Sequence, residues 1–273
     1  MFNLSSIYSP ITSQYPNPGD KYVPCDALKP YIASFWGTEC PESDIPNEGS
    51  PILVIPDTCV DIIFVMDHRT NSFSGHYSGI NDRPFMTSPV VETTRVSYFA
   101  IRFYFWGIHV FSDYHMRDSL NTFEDSNVYF NGWDSFFKNL LIQTSLIEER
   151  IPIAERFLLS KLNIHKKNDH VLNATYCILN SKGTKHIKEV CAYTAISQRQ
   201  LERLFLEYIG ISMKKVSNLV RYQNLWQDIA FSPHYNILDF VDKYSFTDQS
   251  HLLNAFKKYH GVTPNQAKKI MFE

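Results

Sequence analysis

Two short polar clusters hold the side chains best suited to recognition chemistry. Gln198, Arg199, Gln200, Glu202 and Arg203 form one; Gln249, Ser250, His251 and Asn254 form the other, with Lys257 and Lys258 just beyond. Arg, Gln, Asn, Ser and His suit base edges or phosphates, Glu can accept from a cytosine amine, and Lys offers phosphate a point charge. Glu202 can equally pair with a Lys or Arg on its own surface. A third candidate set lies far upstream, where Arg102 interrupts an aromatic run. With Trp36, Asp57 and Tyr104 it could form an anionic-effector site, or it could satisfy a buried carboxylate such as Asp57 or Asp61, the commoner arrangement. His68, His76, His109 and His115 contain no H-x-H or H-x-x-x-H pair, so no metal or other cofactor is expected. Enzyme motifs are missing as well: there is no glycine-rich phosphate loop, no G-x-S-x-G and no H-E-x-x-H. Ser212 to Lys215 spells S-x-x-K, but in a turn between predicted helices.

The two polar clusters sit on a repeated scaffold. Ile187, Val190, Cys191 and Ile196 match Ile237, Phe240, Val241 and Phe246 at a constant offset of 50. After one extra residue in the second turn, Leu201, Phe205, Tyr208 and Gly210 match Leu252, Phe256, Tyr259 and Gly261 at an offset of 51. The matches fall on apolar and glycine positions, while the outward positions differ. Two equal scaffolds presenting different polar faces suit the reading of two different short sequences. A predicted helix from Met213 to about Ile229 would separate them, and neighbouring major grooves on one face of DNA lie about 34 Å apart. Ser197 and Gln200 spell a capping box, Thr184 and Asp169 are candidate helix caps, and Gly183 and Gly210 are candidate helix ends. Lys214, Lys215, Lys257 and Lys258 are placed to meet phosphates.

Upstream the pattern is different. Phe99, Ile101, Phe103 and Phe105 alternate with Tyr98, Ala100, Arg102 and Tyr104, the period of a strand. Ile52 to Asp67 reads as two β-branched runs broken at Pro56-Asp57-Thr58. From about Asp134 the spacing turns helical, with Trp133, Phe136, Phe137, Leu140 and Leu141 on one stripe and a second helix with Pro152 near its start. The expected fold is α+β in two domains: a β-rich domain over residues 1–162 with coupling helices from about 134, a linker over 163–169, and an all-α domain over 170–273. Net charge divides the same way. Met1 to His170 carries 13 Lys+Arg and 20 Asp+Glu, or 13 − 20 = −7, and Val171 to Glu273 carries 13 and 8, or 13 − 8 = +5. A basic second half points to a polyanionic partner. Five cysteines without a C-x-x-C pair argue against a disulfide framework or a zinc knuckle. The N-terminus lacks a basic and apolar leader pattern, and the longest apolar run is too short to span a bilayer. A soluble cytoplasmic protein with no membrane partner is expected.

The stretch VDKYSFTDQSHLLNAFKKYHGVTPNQAKK resembles the second helix-turn-helix signature of AraC/XylS-type transcription regulators. Phe246, Asp248, Ser250, His251, Phe256, Lys257, Gly261, Thr263 and Pro264 carry the match, and Arg199, Leu201, Arg203, Phe205 and Gly210 resemble the family's first recognition helix. Ser245 stands where the family prefers Gly, Leu252 where it has Phe, and Asn254 where it has Arg. The resemblance, covering about Val171 to Ala267, implies that Arg199, Glu202, Arg203, Gln249, Ser250, His251 and Asn254 line double-stranded DNA in adjacent major grooves. LKPYIASFWG, VIPDTCVDIIF, FSGHY and AIRFYFWG resemble an uncharacterised N-terminal domain fused to such regulators. That resemblance implies effector sensing by a β-rich domain, of which a cupin-like barrel is one form. The AraC/XylS resemblance implies an activator that contacts RNA polymerase. A small-molecule effector is the expected ligand, and whether a second copy of the chain is a partner is left open by the sequence. The rival expectation is a ligand-free front half that dimerises or contacts polymerase; a DNA-tethered enzyme or repair domain is a third, with no motif in its favour.

Overall fold

The strand alternation decides the architecture of the first half. In the computed structural model, which describes residues 3–12, 22–39, 52–87 and 95–272, seven described strands form two ladders. They are β1 (Ile32–Gly37), β2 (Leu53–Val54), β3 (Cys59–Asp67), β4 (Ser72–Ser78), β5 (Phe85–Met86), β6 (Val96–Tyr104) and β7 (Phe123–Asp125). The larger ladder is antiparallel throughout, in the order β1-β6-β3-β4-β7, and β2 pairs with β5 in a separate one. The β6–β3 register sets Ile101 opposite Ile62 and Arg102 opposite Asp61. One face therefore carries Phe35, Ile62, Phe64, Phe99, Ile101 and Phe103, all buried. The other carries Trp36, Asp61, Ile63 and Arg102.

Two helices cover the apolar face, α1 (Trp133–Gln143) and α2 (Ile147–Lys161). Phe137 stacks on Phe64 with ring centroids 4.0 Å apart, and Phe136 stacks on Phe157 at 4.0 Å. Pro152 lies in the second turn of α2. Arg150, fully buried, donates to the carbonyls of Thr38, Tyr98, Thr144 and Ser145, fastening α2 to the ends of β1 and β6. The opposite sheet face looks toward the β2–β5 ladder across a cavity. Among the described residues the ladders share no strand pairing, so two facing sheets wall the cavity where a closed barrel would use one.

The second half is helical: α3 (Asp169–Asn180), α4 (Ile187–Thr194), α5 (Gln198–Tyr208), α6 (Met213–Phe231), α7 (Ile237–Lys243), α8 (Gln249–His260) and α9 (Pro264–Phe272). The first cap lies one residue earlier than expected, since Asn168 rather than Asp169 accepts from the Val171 amide. Thr184 caps no helix. Its hydroxyl donates to the Ser181 carbonyl and closes the preceding turn, and α4 starts three residues later, where Glu189 accepts from the His186 amide. The polar stretch 163–169 is held to the first half: the Asn163 amide donates to the Val110 carbonyl, and the Lys166 carbonyl meets His109 at 3.2 Å. Buried apolar side chains form one cluster spanning both halves.

Candidate nucleic-acid interface

Each half of the repeat is a helix, a tight turn and a second helix, α4–α5 and α7–α8. Leu201 and Phe205 in α5, and Leu252 and Phe256 in α8, point inward and are buried. The turns share an unusual backbone. Ala195 and Ser245, related by the offset of 50, both adopt left-handed conformations at φ 54°. Gly210 and Gly261, related by 51, end α5 and α8 at φ 89° and 85°. The caps correspond too: Ser197 Oγ accepts from the Gln200 amide at 3.2 Å, and Asp248 Oδ1 accepts from the His251 amide at 2.8 Å. The sequence repeat is thus a backbone repeat.

Arg199, Gln200, Arg203, Gln249, Ser250, His251, Asn254 and Lys257 are exposed, and Glu202 is half-buried. Arg199, Glu202, Arg203 and Leu206 line one groove on α5. His251 and Asn254 line another between α8 and α6, beside Asn218, Arg221 and Lys258. Gln200 and His251 occupy equivalent positions, and both fold back on their own turns. Gln200 Oε1 accepts from the Ser197 amide and hydroxyl, and His251 Nδ1 lies 3.0 Å from Thr247 Oγ1. Local capping therefore occupies both side chains. Lys215 is likewise engaged, by Asp82 at 2.9 Å, while Ser212 Oγ accepts from the Lys215 amide as the cap of α6. Both ends of the S-x-x-K stretch therefore have structural partners.

The α6 helix joins the two units and is buried almost all round. Its 19 residues span about 28 Å at ~1.5 Å each. The first half grips this helix and the C-terminal ends of both α5 and α8. Gln223, wholly buried, donates to the carbonyls of Ile11 (2.8 Å) and Pro56 (2.6 Å) and accepts from the Ile11 amide (2.7 Å). The Met116 amide donates to the Glu207 carbonyl, and a Cβ on Gly210 would collide with the Met116 carbonyl oxygen. Near Gly261, Pro84 takes the corresponding place. Contact at the C-terminal ends leaves the N-terminal turns of α5 and α8 open. It also brings Arg117 and Asp118 into the α5 groove. Sequence reasoning missed Arg117 and Gln223, because only the docking of the halves gives either one a role.

The upstream candidates divide. Trp36, Asp57 and Arg102 line the cavity between the ladders, about 500 Å³ in volume. Tyr104 is not among its lining residues; its ring stacks on Trp106 at 4.5 Å. Arg102 bridges two carboxylates, contacting Asp57 and lying 2.7 Å from Asp61. Trp36 Nε1 donates to the other Asp61 oxygen at 2.9 Å. Burial lowers the Arg102 pKa to about 10, which leaves it charged at neutral pH. The pairing with Asp57 and Asp61 is thus the arrangement present. Cys59 is buried in the same wall, and Cys40 lies outside the described residues. No described helix is long and apolar enough to cross a membrane.

A helix-turn-helix domain profile matches residues 190–270, which contain both α5 and α8. The second half carries an AraC-type helix-turn-helix domain. A domain of unknown function, DUF6597, matches residues 20–125. Solved structures are similar at low identity. A transcriptional regulator from Chromobacterium violaceum is 19% identical over 38% of this chain and 92% of its own, with a TM-score of 0.34. The C-terminal domain of AraT, a response regulator from Geobacillus stearothermophilus, is 21% identical over 38% and 88%, with a TM-score of 0.36. Unsaturated fatty acid-bound ToxT from Vibrio cholerae is 12% identical over 85% and 92%, with a TM-score of 0.39. No curated protein matches the sequence. The AraC-type domain is a DNA-binding domain of transcription regulators, and here each of its two units presents an exposed polar helix face.

Proposed function

We propose that the chain is a sequence-specific transcription regulator that reads DNA with α5 and α8 and is modulated by a small molecule held between the two ladders. The observation that carries the reading is the doubled scaffold: the same backbone presents Arg199, Glu202 and Arg203 once, and Gln249, Ser250 and Asn254 the second time. Lys257 supplies phosphate contact, and Arg117 adds a cation to the α5 groove from the other half of the chain. Modulation is supported by Gln223. The two residues it binds, Ile11 and Pro56, directly precede the cavity-lining Thr12 and Asp57. A shift of that wall is therefore transmitted to the helix that sets the spacing of the reading units.

The test is fluorescence anisotropy of the full chain on DNA from upstream of its own gene, with random DNA as competitor. Arg203→Ala is expected to weaken specific binding by roughly 1–3 kcal/mol and leave random DNA little changed. An equal loss on both would make Arg203 a phosphate contact only, and no preference for the upstream DNA by the unaltered chain would remove the reading.

A further inference from the structure

The cavity wall has a charge that its arginine conceals. Its charged lining groups among the described residues are Arg102, Asp57 and Asp61, whose formal charges, +1 and twice −1, sum to −1. The guanidinium is committed to both carboxylates, and Arg102 and Asp57 are buried. The remaining carboxylate oxygens accept from the Cys59 amide and the Trp36 indole, both at 2.9 Å. An incoming carboxylate would meet a net negative wall, and it could reach Arg102 only by parting a buried ion pair, a costly step. A cation would meet the opposite field, with the rings of Trp36, Phe85 and Phe123 in the same wall. The mouth is apolar: Ile52, Phe85 and Phe123 are 45%, 41% and 63% exposed. Side chains of this kind gain by being covered, which favours an apolar body on the ligand. The −7 balance of the first half adds a long-range field of the same sign.

We infer that the cavity is a receptor for an apolar molecule bearing one positively charged amine, and that it discriminates against carboxylates. The inference rests on the reading of the first half as a sensor, and it fixes the chemical class sensed. A volume of about 500 Å³ admits a molecule of ordinary ligand size.

Calorimetric titration of the full chain with 4-phenylbutylamine, 4-phenylbutan-1-ol and 4-phenylbutyrate holds the apolar body constant while charge varies. The expected order is amine, then alcohol, then acid, with the amine at least about tenfold tighter than the acid. Asp61→Asn, which brings the wall to neutrality, should narrow that ratio. If the variant fails to fold, the order measured on the unaltered chain still decides. Ser78→Trp, which places an indole in the cavity, should abolish binding; retained binding would put the site elsewhere and overturn the inference. So would equal or tighter binding of the acid, or no binding by any of the three. The DNA reading is tested separately: specific DNA binding by the unaltered chain survives a failure here, whereas loss of DNA specificity would undercut the sensor reading itself.

Discussion

At the scale of single residues, side-chain type alone overstates the reading surface. Gln200 and His251 have the chemistry to read bases, yet each is held by its own turn. Gln200→Ala should therefore cost about 0.5–1 kcal/mol of folding stability, as the loss of one half of a capping box does. It should leave the preference between specific and random DNA unchanged. Urea unfolding and competition anisotropy on the same variant separate these effects, and a relaxed sequence preference would return Gln200 to the interface. Arg102 teaches the complementary lesson. Its burial and its nearness to Asp57 and Asp61 follow from strand alternation and pairing, but a single sequence leaves open whether an arginine among aromatics meets a ligand or a carboxylate. Only the β3–β6 register, which puts Asp61 directly opposite Arg102, decides it.

At the scale of elements, most of the second half is legible in the sequence because its signals are local. Apolar spacing, Ser197 and Gln200 as a capping box, Gly210 and Gly261 as helix ends, and the offsets of 50 and 51 all describe short-range geometry. The caps expected at Thr184 and Asp169 fall elsewhere: Asn168 accepts from the Val171 amide, and the Thr184 hydroxyl is engaged with the Ser181 carbonyl, two residues before His186, where the start of α4 is capped. Ser245 is legible as a departure from glycine, and its φ of 54° shows what glycine would relieve. Ser245→Gly should stabilise the protein by roughly 0.5–1 kcal/mol, the relief of left-handed strain exceeding the added chain entropy. A lower urea midpoint for the variant would mean that the serine side chain contributes more than the strain costs. The facing ladders are less legible, since β2 and β5 are two residues long and their pairing, Leu53 with Met86, spans the whole β3–β4 hairpin.

At the scale of the whole molecule, charge and periodicity divide the chain in two but carry no sign of how the halves dock. That docking depends on Gln223, Met116 and Pro84, none of which stands out by type or spacing. Two buried histidines make the assembly sensitive to pH. Burial holds His109 and His260 at about 4, below the ordinary 6.5, so both are neutral in the folded chain at pH 7. The unfolded chain takes up protons below about 6.5 and the folded chain does so only near 4, so stability falls as pH drops through that window. A loss of roughly 2 kcal/mol per histidine is expected between about pH 7 and about pH 5 in urea unfolding, and His109→Gln should flatten the slope. An unchanged slope would mean that His109 takes up its proton at the same pH in the folded chain as in the unfolded one. The central claim is that one chain carries two different reading helices for two neighbouring grooves. Hydroxyl-radical footprinting of the full chain on DNA it selects from a random library tests this directly. Two protected patches about one helical turn apart are predicted, one weakened by Arg203→Ala and the other by Asn254→Ala. A single patch, or equal loss of both patches in either variant, would contradict the account.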